Sequence, residues 1–451
     1  MFDQRHLALA DLLAGSVVLP GDPGWDAART GFNLALDQHP DAVVLPETVA
    51  DVQQTVRYAR SRGLRVAPQA TGHNPGPLGD MRGLLLVSAE RFKEVRIDAA
   101  ALRVRVGSGV RWEEVVPQLS ELGLAALHGS SPDVGIAGYS LGGGMGWLAR
   151  KHGLQTNAVT AIELVTADGR FVRADAEHEA DLFWALRGGN GNFGFVTAIE
   201  FRVVALEELY AGHLFFPEER AAEVLKAWVR WLPSLPEELM TWADVLRFPD
   251  VEDVPEPLRG QSFAIVLAAY QGDETAGRAL LEPMRALGPV MDDFAMVPPA
   301  GIAELAMDPR EPLPYRTAHQ QLDTLPDAAI DEVLAHTGEV TMVHLRHMGG
   351  AMSRAVPGAG ARATLPGEIC FFLLAVVEDE VADARLRGAL AAAERAVLPY
   401  RAGDYPNFVE EPTDASRFFD EETWARLRAV KAAVDPADLF RGNHHIAPAQ
   451  A

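Results

Sequence analysis

Three glycine-rich stretches of the sequence hold residues that could bind a cofactor or take part in catalysis. The first spans residues 69–76 and carries a histidine, His73, beside a glycine. The others span residues 135–146 and 188–194. Glycine lets a backbone pass close against a flat ligand, and a glycine among polar residues at a strand end can cradle a pyrophosphate. A lone loop histidine is more often an ordinary polar residue, so these stretches carry weight only together.

The third stretch fits the G-x-G-x-x-G pattern of dinucleotide-binding proteins at Gly189, Gly191 and Gly194. That pattern binds a pyrophosphate only when a strand precedes it and a helix starts from it. Here the sequence predicts a helix over 179–186 before the glycines and a strand over 195–204 after them. Because this order is reversed, a Rossmann-type NAD site is not expected.

The second stretch contains the G-x-S-x-G pattern of serine hydrolases, with Ser140 as a candidate nucleophile and His444 as a candidate triad histidine. A nucleophile elbow needs a buried strand directly before the serine, but Pro132, Asp133 and Gly135 occupy that segment. The helix after the elbow would also have to include several glycines, at about 1 kcal/mol each. A serine hydrolase is therefore kept only as a remote alternative.

Composition restricts the partners of any such site. At 451 residues the chain is long enough for two or three domains, and its 48% apolar and 23% charged residues are typical of a globular protein. The formal charge of −23 argues against nucleic acid and anionic membranes, because phosphate binding needs clustered Lys and Arg. Neither is expected as a partner.

Cys370 is the only cysteine, which excludes an intramolecular disulfide and a multi-thiolate metal site. Its apolar surroundings indicate a buried, inert thiol, and no metal site is predicted. No run of about 18 apolar residues occurs, so a membrane span is not expected. Residues 1–5 lack a basic patch followed by an apolar stretch, so we predict no signal peptide and expect a cytoplasmic protein.

Short strands and helices alternate in the N-terminal part of the chain and could position the first glycine-rich loop. The sequence predicts a strand over 42–45, a helix over 49–61 and a second strand over 64–68, which together form a βαβ unit. Thr48 and Asp51 fit a capping-box pattern at the start of that helix.

Farther along the chain, two strands over 161–174 are predicted to form a hairpin around an Asp-Gly turn. The mixture of parallel and antiparallel pieces favours an α+β fold. From about residue 206, amphipathic helices and longer strands indicate a second domain built on an antiparallel sheet. A helix is predicted over 421–434, and the last apolar anchor lies near Phe440.

Taken in order, these segments resemble the FAD-binding half of the berberine-bridge-enzyme-like oxidases, and the resemblance extends over nearly the whole chain. Several separated motifs in family order carry it. They are residues 40–46, the loop with Gly72 and His73, and residues 134–144, 181–189, 192–197, 405–408 and 430–436.

The resemblance implies an α+β fold with a two-subdomain FAD-binding domain of the p-cresol methylhydroxylase type. A substrate domain, whose antiparallel sheet is covered by helices, would follow it. The FAD-binding domain would comprise residues 1–205 and the substrate-binding domain residues 206–400. Residues 401–451 would return to the FAD-binding domain, which would place the active site at the interface.

The resemblance also implies covalently held FAD, because His73 matches the histidine that bonds to the flavin 8-methyl carbon in the family. The loop around His73 would hold the pyrophosphate, Val196 would present its backbone to the adenine, and Asn407 would approach the flavin from the other side. Glycines of the second stretch would line the flavin ring and the ribityl chain. The implied cofactor-binding residues are Gln69, Ala70, Thr71, Gly72, His73, Asn74, Ser131, Val134, Gly135, Gly138, Tyr139, Gly142, Gly143, Val196 and Asn407.

Three positions depart from the family pattern. Many relatives attach FAD a second time through a cysteine, and here that position is Ser131, so no cysteinyl link is expected. Tyr139 stands where relatives often have a histidine near the flavin pyrimidine. Phe408 replaces the second tyrosine of the usual Y-x-N-Y motif, which leaves Tyr405 as the phenolic base of that motif.

The activity that the resemblance implies is hydride transfer from a substrate C–H bond to flavin N5, while a protein base removes a proton. Tyr405 is similar in position to the tyrosine base of carbohydrate-oxidising relatives. His344 lies where relatives carry a catalytic acidic residue, so it is the second catalytic candidate, as a partner of Tyr405 or as the base. A substrate contact or a structural role is the alternative for His344. Strand alternation places Arg346 on the same face.

Val134 matches a position that controls oxygen access in the family, and a valine there fits an oxidase that reduces O2 to H2O2. The alternatives within flavin chemistry are a dehydrogenase with another electron acceptor and a tailoring enzyme of secondary metabolism. The expected substrate is a small molecule, either an alcohol, a sugar or a secondary metabolite.

Overall fold

The computed structural model of the protein describes residues 7–450. Within these residues the main sheets have four, five and nine strands. Residues 1–5, on which the prediction of no signal peptide rests, lie outside the described residues. No helix within 7–450 combines the length and the apolar character that crossing a membrane requires.

The four-stranded sheet leads directly to the first glycine-rich loop. Its strands are β1 (Ser16–Val18), β2 (Ala42–Leu45), β3 (Arg65–Gln69) and β4 (Leu84–Ser88), and the helices beside it are α1 (Leu7–Ala10), α2 (Trp25–Arg29) and α3 (Val49–Arg62). The strand order is β1-β2-β4-β3, with β1 antiparallel to β2, and with β2 and β3 both parallel to β4.

Helix α3 begins as predicted and ends one residue beyond the predicted Ser61. The Thr48 side chain accepts a hydrogen bond from the Asp51 N–H, and the Asp51 carboxylate accepts one from the Thr48 N–H. Gly63, at φ 65°, ends the helix in the left-handed conformation that favours glycine. The predicted βαβ unit forms, although its two strands are not neighbours, because β4 lies between them.

The five-stranded sheet is antiparallel and supports the other two glycine-rich stretches. Its order is β5 (Val95–Asp98), β6 (Arg103–Gly107), β10 (Phe195–Arg202), β8 (Val159–Val165) and β9 (Phe171–Asp175), while β7 (Leu124–Ala125) pairs with β11 (Val204–Ala205). The helices here are α4 (Trp112–Glu121), α5 (Ile136–Leu141), α6 (Ala149–His152), α7 (Gln155–Ala158) and α8 (Ala180–Gly189).

Two predictions for this region are confirmed. Strands β8 and β9 form the predicted hairpin, and Gly169 at its turn has a φ of 84°. Helix α8 precedes the third glycine stretch and β10 follows it, so the order is the reverse of a Rossmann dinucleotide site.

The nine-stranded sheet is antiparallel, as the sequence predicted. In spatial order it contains β15 (Met291–Asp292), β12 (Leu209–Pro217), β14 (Ser262–Tyr270), β13 (Leu239–Arg247), β18 (Met342–His347), β19 (Ile369–Val376), β17 (Tyr315–Leu322) and β20 (Arg401–Gly403), and β16 (Ala295–Val297) pairs with β12. Helices cover one face, namely α9 (Ala221–Trp231), α10 (Glu274–Arg285), α11 (Asp327–His336) and α12 (Glu380–Val397).

The two faces of this sheet have different roles. On β18, Val343 and Leu345 belong to the apolar core beneath the helices. His344 and Arg346 alternate with them and therefore lie on the other face of the sheet. That second face is turned toward the glycine-rich loops of the N-terminal part.

The C-terminal tail packs back onto the first sheet. Helix α13 (Glu421–Val434) has the predicted bounds. After it, the Val66 N–H donates to the Leu439 carbonyl at 2.8 Å, and the Arg441 N–H donates to the Val66 carbonyl at 2.8 Å. The fully buried Lys431 ammonium donates to Asp435 and to the carbonyls of Asn192 and Phe440. The tail thus binds elements that lie far from it in the sequence.

Candidate active site

A cleft of about 310 Å³ lies between the glycine-rich loops and the open face of the nine-stranded sheet. It brings together most of the residues that the sequence singled out. Those that line it are Gln69, Ala70, Thr71, Gly72, His73, Asn74, Ser131, Val134, Gly135, Gly138, Tyr139, Val196, Tyr405 and Asn407. Gly142, Gly143 and His344 are not at the cleft wall; they lie directly behind residues that are.

His73 is fixed at the cleft wall by contacts on both ring nitrogens. Its Nε2 lies 3.0 Å from Asp133 Oδ2, and its Nδ1 lies 2.8 Å from Thr71 Oγ1. A carboxylate can only accept, so the Asp133 contact places the ring proton on Nε2 and leaves the Nδ1 lone pair to accept from the Thr71 hydroxyl. The Phe32 ring stacks on the imidazole at 4.4 Å between centroids. The ring is therefore held in one orientation and one tautomer.

Asp133 itself is almost fully buried, with 5% of its surface exposed. Its Oδ1 has no hydrogen-bond partner among the described residues. A buried carboxylate with a free oxygen is costly, and a positive charge on the His73 ring would offset that cost. The pair is suited to an imidazole that becomes cationic.

The residues at the cleft wall fit FAD as a ligand. Among the described residues, no acceptor takes the backbone N–H groups of residues 71–74, so these donors are available to a pyrophosphate. A Cβ added at Gly138 would meet no atom within 4 Å, which leaves open space for a flat ring against that backbone. Ser108 Oγ and Asn74 Oδ1, both at the wall, are buried polar atoms without partners in the described chain.

The Tyr405 side chain is held in the cleft by three hydrogen bonds to its phenolic oxygen. Its phenolic oxygen accepts from the N–H groups of Gly144 at 3.0 Å and Met145 at 3.1 Å, and from Asn407 Nδ2 at 2.9 Å. Burial raises the pKa of Tyr405 to about 12, while these donors and the charge of Arg346 act in the opposite direction. Three N–H donors around one phenolic oxygen match the coordination of a phenolate.

Gly142 and Gly143 lie behind Tyr405 and Asn407 and leave space for these two side chains. A Cβ at Gly142 would lie 1.8 Å from Asn407 Oδ1, so only glycine lets Asn407 reach its position. Gly143 adopts a φ of 130°, and a Cβ there would come within 3.3 Å of the Tyr405 ring. Both glycines shape the cleft by making room for the residues that line it.

His344 belongs to a buried chain of three polar side chains. Its Nδ1 lies 2.6 Å from Asp244 Oδ1, and its Nε2 accepts from Arg346 Nε at 2.5 Å. Since an arginine Nε always carries a proton, His344 must be the Nδ1–H tautomer and must donate to Asp244. Its Nε2 lone pair is occupied and faces Arg346, not the cleft.

Arg346 and Glu410 line the cleft but were not among the predicted site residues. Strand alternation in the sequence predicted that Arg346 lies on the same face as His344. An arginine on that face could have been recognised as a candidate site residue. Glu410 accepts from Asn33 Nδ2 at 3.2 Å, and burial raises the pKa of its carboxyl to about 8. Nothing local in the sequence distinguishes Glu410 from its exposed neighbours.

The remote serine hydrolase alternative is wrong. Ser140 lies inside helix α5, is fully buried, and donates its hydroxyl to the Ile136 carbonyl at 2.7 Å. His444 Nε2 is bonded to the Pro406 carbonyl at 2.9 Å. The serine is therefore engaged with its own helix, and no nucleophile–base pair forms between these two residues.

Two further predicted residues have clear surroundings. The Ser131 hydroxyl donates to Asp308, another cleft residue. The Tyr139 hydroxyl donates to the Leu127 carbonyl at 2.9 Å, and Asn407 Nδ2 donates to the Tyr139 carbonyl. Cys370 is fully buried, as predicted, and burial raises the pKa of its thiol to about 12.

Comparison with known proteins agrees with this arrangement. The FAD binding domain family matches residues 40–175. The chain is 27% identical to (R)-6-hydroxynicotine oxidase of Paenarthrobacter nicotinovorans, over 97% of either chain. It is also 27% identical to xylooligosaccharide oxidase of Thermothelomyces thermophilus, over 94% of this chain and 91% of that one.

The fold is shared with solved structures as well. BBE-like 1 of Physcomitrella patens superimposes with a TM-score of 0.86 over the full length of both chains, at 23% identity. The chain therefore carries an FAD binding domain, is similar over nearly its whole length to FAD-linked oxidases, and shares the fold of a BBE-like protein. These findings identify it as an FAD-dependent oxidoreductase.

Proposed function

We propose that this FAD-linked oxidoreductase is an oxidase that carries its flavin covalently on His73 and oxidises a small alcohol, sugar or secondary metabolite. When bound, FAD would accept a hydride from a substrate C–H bond and pass the electrons to O2, giving H2O2. The observation that carries this proposal is the placement of His73 and Tyr405 at the wall of one cleft.

The surroundings of His73 support a single covalent attachment. Its Nδ1 lone pair is the nucleophilic position, because Asp133 holds the ring proton on Nε2. A flavin-linked ring would carry a positive charge, which the buried Asp133 carboxylate would stabilise. Ser131 stands where a second, thiol-based link would need a cysteine, so we propose attachment through the histidine alone.

The rest of the cofactor site follows from the same wall. The N–H groups of residues 71–74 would bind the pyrophosphate, Gly135 and Gly138 would lie against the ring system, and Val196 would contact the adenine. Gly142 and Gly143 would contribute indirectly by admitting Asn407 and Tyr405.

Tyr405 is the proposed base. Its oxygen would take the proton from the substrate O–H, and the N–H groups of Gly144 and Met145 together with Asn407 would stabilise the charged form. His344 would then be a positioning residue, because its Nε2 is occupied by Arg346 and cannot accept a substrate proton. This assigns His344 a role as indirect partner and not as the base.

O2 is the proposed electron acceptor, since Val134 lines the cleft where the family controls oxygen access. A dehydrogenase that uses another acceptor, or a tailoring enzyme of secondary metabolism, remains the alternative within flavin chemistry.

The experiment starts with the purified protein. Its yellow colour should stay in the pellet after acid precipitation, its intact mass should exceed that of the polypeptide by one FAD, and the flavin peptide should contain His73. Incubation with a panel of oligosaccharides, alcohols and hydroxy acids in air should produce H2O2 with one of them. Flavin released into the acid supernatant would contradict covalent attachment, and flavin bleaching without H2O2 would favour another acceptor.

A further inference from the structure

Arg346 differs from the other buried arginines of the protein. Four arginines in the described part of the chain are less than a tenth exposed. Three of them, Arg150, Arg187 and Arg362, donate to backbone carbonyl oxygens and lie away from the cleft. Within residues 7–450 Arg346 donates to no backbone carbonyl, and it lines the cleft, so its charge does not bind one chain segment to another there.

The side chain is held rigidly. Its Nε donates to His344, which in turn is fixed by Asp244. Its guanidinium lies 4.0 Å from the Trp242 ring centroid and 4.9 Å from that of Phe408. Stacking on aromatic faces fixes the plane of the guanidinium and leaves its edge for ligands in that plane.

The polar contacts of Arg346 leave it capacity for an anion. One terminal nitrogen makes a long bond of 3.3 Å to Ser130 Oγ, and within residues 7–450 it forms no ion pair with a carboxylate. Asp244 is connected to Arg346 only through His344. A buried cation without a direct counter-ion is stabilised by an anionic ligand.

Two acidic side chains share the cleft and must be weighed against this. Burial raises the pKa of Glu410 to about 8, so that carboxyl is mostly protonated and uncharged at neutral pH. Asp308 accepts the hydroxyl of Ser131. Neither carboxyl is paired with Arg346.

Apolar side chains surround the charged end. Met342 and Leu374 are cross-strand partners at the cleft, and Phe408 packs against both the Phe372 ring and the Arg346 guanidinium. A ligand that matches both the apolar wall and the guanidinium has an apolar body and one planar anionic group that can accept two hydrogen bonds. A carboxylate matches the guanidinium edge in this way through two parallel hydrogen bonds.

We propose that Arg346 binds a carboxylate of the substrate, so that the oxidised compound is an organic acid with an apolar body. The proposal rests on the proposed function, since it assigns the substrate class of the same cleft. Bidentate binding would hold the acid by one end and place its remaining C–H bonds against the cofactor-binding wall. Trp242, His344 and Asp244 would position the guanidinium and would not touch the substrate.

The test compares two flat probes of nearly equal shape, cinnamate and cinnamamide, by calorimetry on the purified holoprotein. Cinnamate should bind at least about tenfold more tightly than cinnamamide, because a hydrogen bond to a charged group is worth about 1.5–3 kcal/mol. Arg346→Gln should weaken cinnamate binding about 10- to 100-fold and change cinnamamide binding little. Arg346→Lys keeps the charge but loses the two parallel N–H donors of the guanidinium. Its affinity for cinnamate should lie between those of the parent protein and Arg346→Gln.

Arg385→Gln is the matched control, because Arg385 is an exposed arginine paired with Glu339 on the surface. It should leave both affinities unchanged. Equal affinities of the two probes for the parent protein, or no cinnamate binding at millimolar concentration, would overturn the proposal even if Arg346→Gln did not fold. An equal loss for both probes in Arg346→Gln would overturn it too.

Calorimetry needs neither turnover nor flavin colour. A failure of the oxidase proposal would appear separately, as a colourless protein or one that makes no H2O2. The two proposals can therefore fail independently.

Discussion

Removing one oxygen atom, with Tyr405→Phe, tests the proposed base and has two measurable consequences. The first is kinetic. A positioned base contributes about 10²–10⁴-fold to a rate, so anaerobic flavin reduction by substrate in a stopped-flow instrument should slow by that factor. Reduction at the parent rate would refute the assignment of Tyr405 as the base, and Tyr405 would then only line the cleft.

The second consequence concerns stability. The lost oxygen is the acceptor for three buried donors, on Gly144, Met145 and Asn407. An orphaned buried donor costs about 1–3 kcal/mol, so the free energy of unfolding should fall by about 3 kcal/mol at the low end of that range. Urea denaturation measures this loss. Tyr400→Phe, on a partly buried tyrosine packed at the helical side of the large sheet, is the control and should change neither quantity.

The pH dependence of the flavin reduction rate distinguishes the loss of a base from a loss of stability. Burial raises the pKa of Tyr405 to about 12, and the base works only when deprotonated. Below that pKa the deprotonated fraction rises tenfold per pH unit, so the reduction rate of the parent should rise with pH between 7 and 10. The variant should show a flat profile. A parent profile without this rise would contradict proton removal by Tyr405 even if the variant is slow.

Three other substitutions test neighbouring parts of the site. Asp133→Asn removes the charge beside His73 and should slow covalent attachment at least about tenfold, because the cationic ring loses its carboxylate; acid-precipitable flavin measured over time reports it, and an unchanged time course contradicts it. Ser131→Cys should yield a second, thiol-linked flavin bond with an altered visible spectrum, and an unchanged spectrum would place residue 131 out of bonding reach. His344→Ala should raise KM more than it lowers kcat, because Arg346 loses its acceptor; a fall in kcat alone would put His344 in the chemistry.

The elements that the sequence predicted well are those with local causes. The capping box of helix α3 and the Gly169 turn depend on residues within a few positions of one another. The antiparallel large sheet was predicted from the amphipathic helices and longer strands that begin near residue 206. The order of strands in the first sheet was not accessible in this way, since the insertion of β4 between β2 and β3 is decided by packing over the whole sheet.

The parts of the site that the sequence did not reveal depend on distant pairings. Asp244 meets His344 only because β13 lies beside β18 in register, although the two residues are 100 positions apart in the sequence. Two of the three donors to Tyr405, the N–H groups of Gly144 and Met145, come from a loop about 260 positions earlier. Residue types alone could point to His344 as a base, whereas its occupied Nε2 could be seen only once Arg346 was in place.

The hydrogen bonds between the loop of His73 and the C-terminal part of the chain affect when the protein can acquire its cofactor. Asn74 donates to the Pro406 and Val409 carbonyls at 3.2 Å, and Asn443 donates to the Asn74 carbonyl. These partners lie 332 to 369 positions after Asn74 in the sequence, so they are synthesised much later than the loop of His73. The loop cannot make these contacts until residues 406–443 have been synthesised, so the flavin attachment that we propose is expected to follow synthesis of that segment. Nascent or C-terminally truncated chains should accordingly stay colourless even when FAD is abundant.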